Sequence, residues 1–95
     1  MDEKIRTLHP QGKKGVNISQ AKYERIREAI LDVIRDQGEV TFDDLLKMVE
    51  NRLKNKFEGS ISWYTTTVKL DLEARGEVKR VSGASPQRIR LVQRG

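Results

Sequence analysis

Ser60–Val92, SISWYTTTVKLDLEARGEVKRVSGASPQRIRLV, decides how this chain folds. Tyr64, Val68 and Leu72 recur at helical spacing, with Ile61 and Thr65 beside them, so the spacing predicts a helix from Ser60 or Ser62 to Gly76. A short strand over EVKRV follows. Gly83-Ala84-Ser85-Pro86 supplies turn chemistry, with Pro86 where a ladder donor is not needed. In the returning strand Ile89 and Leu91 face one side, Arg88 and Arg90 the other. Val78 and Val81 differ in parity, so the first strand must bulge or twist, or expose one valine. Two strands alone are marginal, so this hairpin is expected to pack on helices and to pair with the strand fragment at 39–41.

Upstream, Ile26, Ala29, Ile30, Val33 and Ile34 form one apolar stripe, a helix capped by Ser19 and ended by Gly38. Ile18 can staple onto Tyr23, and Arg35 suits the last turn. The outer face, with Glu24, Glu28, Asp32 and Asp36, is acidic. Glu39-Val40-Thr41 is long enough only for a strand fragment. Thr41 then caps a second helix with Asp43 and Asp44 in its first turn, a Val40–Leu45 staple and a stripe of Phe42, Leu45, Leu46, Val49 and Leu53. Phe57 is expected under the linker that follows, and Gly59 is expected to break the helix.

Residues 1–17 hold Pro10, Gly12 and Gly15 among few apolar groups, and read as a flexible basic N-terminal arm before a domain over 18–92, with a tail at 93–95. Lys13 and Lys14 could lie along phosphates, as basic arms do, or belong to a solvated tail. GKKG is no phosphate loop, since it lacks the GxxxxGK[ST] spacing and a preceding strand.

Ninety-five residues suffice for one small domain. Net charge is +5, distributed as +3 over 1–22, −4 over 23–50, +2 over 51–76 and +4 over 77–95. Basic ends around an acidic middle can orient on a polyanion. The chain has no cysteine, which suits a reducing, cytoplasmic compartment. No apolar run suggests a membrane span. Catalysis has no support: there is no thiol, His9 is the single histidine, and no metal cluster or cofactor loop is present. Asp43-Asp44 is explained by its helix N-terminus. No cofactor is expected.

Leu72-Glu73-Ala74-Arg75-Gly76-Glu77-Val78 resembles the L-E-x-x-G-x-[IV] exit of the winged-helix recognition helix, and TFDDLL at 41–46 is similar to that family's second-helix opening. The resemblance covers roughly residues 19–92. It implies an α+β fold, a three-helix winged helix-turn-helix with a C-terminal β-hairpin wing. It also implies double-stranded DNA as partner, in a transcriptional regulator. Carried over, Ser62, Thr66 and Lys69 would meet base edges or nearby phosphates, with Lys79, Arg80, Arg88 and Arg90 as wing contacts. The proposed reading flank has no Arg or Asn, so shape-based recognition fits better than tight base reading. Asp71 and Glu73 would oppose phosphate unless tied to Arg75 or turned away. Trp63 fits either the core or the edge of a binding surface. The alternative function is a protein-interaction winged helix, an adaptor or subunit contact, since fold does not assign function. RNA is a further option, disfavoured by few stacking aromatics. A homodimer is possible, though no heptad argues for one.

Overall fold

The structure, a computed structural model, describes residues 3–83 and 85–92. The expected tail at 93–95 and the turn residue Ala84 lie outside them. Three helices, α1 (Gln20–Gln37), α2 (Phe42–Leu53) and α3 (Ile61–Ala74), pack with two small antiparallel sheets. The first sheet pairs β1 (Lys4–Arg6) with β2 (Asn17–Ser19). The second has three strands in the order β3 (Glu39–Thr41), β5 (Arg88–Leu91), β4 (Val78–Arg80).

Each helix starts where its cap stands. Ser19, Thr41 and Ser60 accept from the amides of Lys22, Asp44 and Trp63, satisfying donors that the first turn cannot. Gly38 ends α1 with φ 79°, its amide donating to the Ile34 carbonyl. The end of α2 comes earlier than Gly59. The chain leaves the helix after Leu53 and turns at Asn55, φ 63°, a conformation Asn tolerates. Gly76, φ 77°, turns the chain from α3 toward β4.

The core is the meeting of the three stripes. Ile26, Ile30 and Ile34 of α1 lie against Leu45 and Val49 of α2, Val68 and Leu72 of α3, and Val40, Val78 and Ile89 of the sheet. The expected pairing of the hairpin with 39–41 is present, in the register Val40↔Ile89. The valine parity conflict resolves without a bulge: β4 ends at Arg80, Val78 is buried and Val81 half-buried. Phe57 packs edge-on against Tyr64, ring centroids 5.1 Å apart.

The expected free arm is a correction. Residues 4–19 form a hairpin whose ladder is extended by Thr7 N–H donating to the Val16 carbonyl at 2.8 Å. Thr7 is buried and its hydroxyl accepts from the Val16 amide at 3.0 Å. Gly15 sits so close to Thr7 that an added Cβ would stand 1.7 Å from the Thr7 carbonyl oxygen. Ordering this segment is offset by backbone bonds and by docking on α3, which residue composition does not register.

Candidate nucleic-acid interface

Side chains alternate across a strand, and directly paired residues share a face. Val40, Ile89 and Val78 point into the core, so Lys79, Arg88 and Arg90 share the outward face of the three-stranded sheet, with Glu39 opposite Arg90 and Thr41 opposite Arg88. Lys79 and Arg88 are exposed and Arg90 half-buried. None of the three makes an ion pair among the described residues. Arg90 also lines a cleft with Arg35 at the end of α1.

Arg80 does not belong to this row. It shares the inward parity of Val78 and, at the sheet's margin, Nε donates to Glu73 Oε1 at 3.1 Å. Lys69 reaches the same oxygen at 3.2 Å and lies 5.1 Å from the Phe42 ring centroid. Lys69 is only 7% exposed, which corrects its expected place on a reading surface. Its ammonium is held by a carboxylate one turn on and by an aromatic face from another helix. Ser62 stays exposed, whereas Thr66 is half-buried and its hydroxyl donates to the Ser62 carbonyl at 3.0 Å. Of the expected contacts, the structure brings Lys79, Arg88 and Arg90 together on one face, buries Lys69, and leaves Arg80 exposed beside that row with its guanidinium paired to Glu73.

The outermost stripe of α3 is opposite its buried one, at Trp63, Thr66, Thr67, Leu70 and Ala74. It contains no cation. Trp63 is 47% exposed, as are Leu8 (46%) and Val16 (38%) of the N-terminal hairpin. The loop between β1 and β2 lies along this stripe. Its tip, Pro10 and Gln11, borders Lys79 and Arg80, and its returning limb, with Lys14 and Gly15, borders Trp63. Lys13 and Lys14 are exposed on that limb, so they are carried by a folded loop rather than a free arm.

What holds the loop there is Asp71, a residue that looked unhelpful in the sequence. It is fully buried and takes three donors: the Leu8 amide at 2.7 Å, Arg75 Nε at 2.8 Å and the Tyr23 hydroxyl. Burial, together with the bond to Asp71 and its charge, pushes the Tyr23 phenol well above its ordinary range. The bond to Asp71 likewise raises Arg75, against the opposing cost of burial. The foreseen tie to Arg75 is present. The two partners from the far end of the chain had no local signal.

Among the described residues no cluster of three His, Asp or Glu could hold a metal ion, and no helix is long and apolar enough to cross a membrane. The profile of DUF6958, a family of unknown function, matches residues 4–89, the N-terminal hairpin included. No curated protein and no solved structure matches the chain.

Proposed function

The chain belongs to the DUF6958 family, and we propose that it is a cytoplasmic nucleic-acid-binding module of winged-helix type. In this reading it holds duplex DNA chiefly by its phosphates and regulates transcription without catalysis. The observation that carries the reading is the row Lys79, Arg90, Arg88 on one outward sheet face, uncompensated by ion pairs among the described residues. Cations left unpaired on a rigid ladder are already placed for phosphate oxygens, and Arg can take two at once. The element order from α1 to β5, with β3 completing the hairpin into a sheet, supports the winged-helix resemblance. The cation-free outer stripe of α3 and the inward turn of Lys69 weigh against base reading from that helix. Selectivity would come from duplex shape and deformability.

Binding should be measured on short duplexes across a salt series. Three to five phosphates engaged by Lys79, Arg88, Arg90, Lys13 and Lys14 correspond to a slope of log K against log salt of roughly −3 to −4.5. Arg88→Ala with Arg90→Ala should flatten that slope by about 2. Salt-independent binding, or unchanged binding by the double variant, removes the reading.

A further inference from the structure

A cleft of about 190 Å³ lies between the β1–β2 loop and the outer stripe of α3. Its apolar surface comes from Leu8, Val16, Trp63 and Leu70, and its polar rim from His9 and Lys14. Among the described residues no carboxylate lines it, in a chain with 14 acidic residues. The Gln11 amide donates to His9 Nδ1, which places the proton of the neutral ring on Nε2 as a free donor. Trp63 is held edge-on against Tyr64, ring centroids 4.9 Å apart and planes at 83°. Nearly half of the Trp63 residue nonetheless remains open to solvent.

An exposed indole set edge-on against Tyr64, flanked by apolar walls and bordered by a cation with no carboxylate among the described lining residues, has the chemistry that single-strand binders use. A base stacks on the ring and the backbone phosphate meets the cation. A purely apolar partner would not call for Lys14 and the His9 donor, and a rim with a cation and no carboxylate among the described residues favours an anionic ligand. We propose that this cleft takes an unpaired base of a nucleic-acid strand, stacked on Trp63 with its phosphate on Lys14. The proposal rests on the phosphate-binding reading above. It adds a second contact, on the same β1–β2 loop whose tip at Pro10 and Gln11 borders Glu73, Lys79 and Arg80.

The chain contains a single tryptophan, so its fluorescence reports this cleft directly. The full chain is titrated with a short oligothymidylate, the matching oligouridylate and a blunt duplex, following tryptophan emission and the anisotropy of a labelled strand. The expected result is emission quenching that saturates together with the anisotropy for at least one single strand; which one responds separates DNA from RNA. Trp63→Ala should weaken that binding about tenfold or more, Trp63→Phe should retain most of it, and Trp63→Leu should not. Lys14→Glu should weaken it as well. Duplex binding should stay within about twofold of the parent in Trp63→Ala yet fall in the Arg88→Ala, Arg90→Ala variant. Single-strand binding with unchanged emission, or Trp63→Leu binding like the parent chain, overturns the proposal and leaves the duplex reading standing. Self-association that Trp63→Ala abolishes, with strand affinity unchanged, assigns the cleft to a second copy and also overturns it. Failure of every nucleic acid to bind removes both readings.

Discussion

Asp71→Ala should loosen the contact that fixes the N-terminal hairpin to the helices. The carboxylate is fully buried and accepts from Leu8, Tyr23 and Arg75. Removing it strands the Tyr23 hydroxyl inside the protein, at a cost of about 1–3 kcal/mol. The Leu8 amide belongs to a surface residue and can partly rehydrate. The Arg75 side chain is 34% exposed, so its share is discounted for solvent screening. The total expected is about 2–4 kcal/mol, below the 3–5 kcal/mol typical of breaking a fully buried pair. For a domain of this size, whose whole stability is of order 5–15 kcal/mol, that is a large fraction. The urea midpoint should fall accordingly, and the melting temperature by roughly 10–25 °C. Tyr23→Phe removes one donor and should cost about 1–2 kcal/mol. The double variant should lose less than the sum of the singles, by about 1 kcal/mol, because both act on one bond. A loss below about 1 kcal/mol for Asp71→Ala, or strict additivity with Tyr23→Phe, would refute the idea that Asp71 ties the two ends of the chain together.

Three further outcomes follow from the same geometry. The raised Tyr23 phenol stabilises the fold fully below the unfolded value near pH 10, and that contribution is lost as pH rises toward the folded value. Alkaline urea titrations should therefore show stability falling above about pH 10, less steeply in Tyr23→Phe. Lys69→Met should cost about 1–3 kcal/mol, since Glu73 keeps Arg80. Duplex affinity should stay within about twofold, whereas a base-reading lysine would lose about tenfold or more on substitution. Gly15→Ala drives a methyl into the Thr7 carbonyl and should cost upward of about 2 kcal/mol. Hydrogen exchange should accelerate first at Thr7 and Val16, and unchanged protection there would contradict the clash.

What could be read from the sequence was what local physics dictates. The stripe of α1, the caps at Ser19 and Thr41, the stop at Gly38 and the alternation of Ile89 and Leu91 each rest on neighbours within a few residues; the start of α3 was open between Ser60 and Ser62. The pairing of β3 with β5 followed from the need of a two-stranded ladder for a third member. The row Lys79, Arg88, Arg90 was half legible. Parity set Arg88 and Arg90 outward, but the split of Arg80 from Lys79 needed the register against β5.

The rest depended on groups brought together from distant positions. A three-residue strand such as Lys4–Arg6 has no periodicity to detect; its partner lies beyond a loop, and the hairpin's anchor, through the Leu8 amide, is a carboxylate 63 positions from Leu8. Lys69 reads as a surface cation until Phe42 of another helix closes over it. Trp63 could stand in core or surface until the direction of the α3 stripe was fixed by what packs beneath it. By itself, the sequence determined the three helices, their starts at Ser19 and Thr41, the stop at Gly38 and the C-terminal hairpin, because hydrogen-bonding and apolar periodicity act over one or two turns. Only the tertiary structure decided which charges remain free, where the N-terminal segment lies and that the outer stripe of α3 carries Trp63, Leu70 and threonines but no cation. Burial and ion pairing depend on what the rest of the chain places beside each residue.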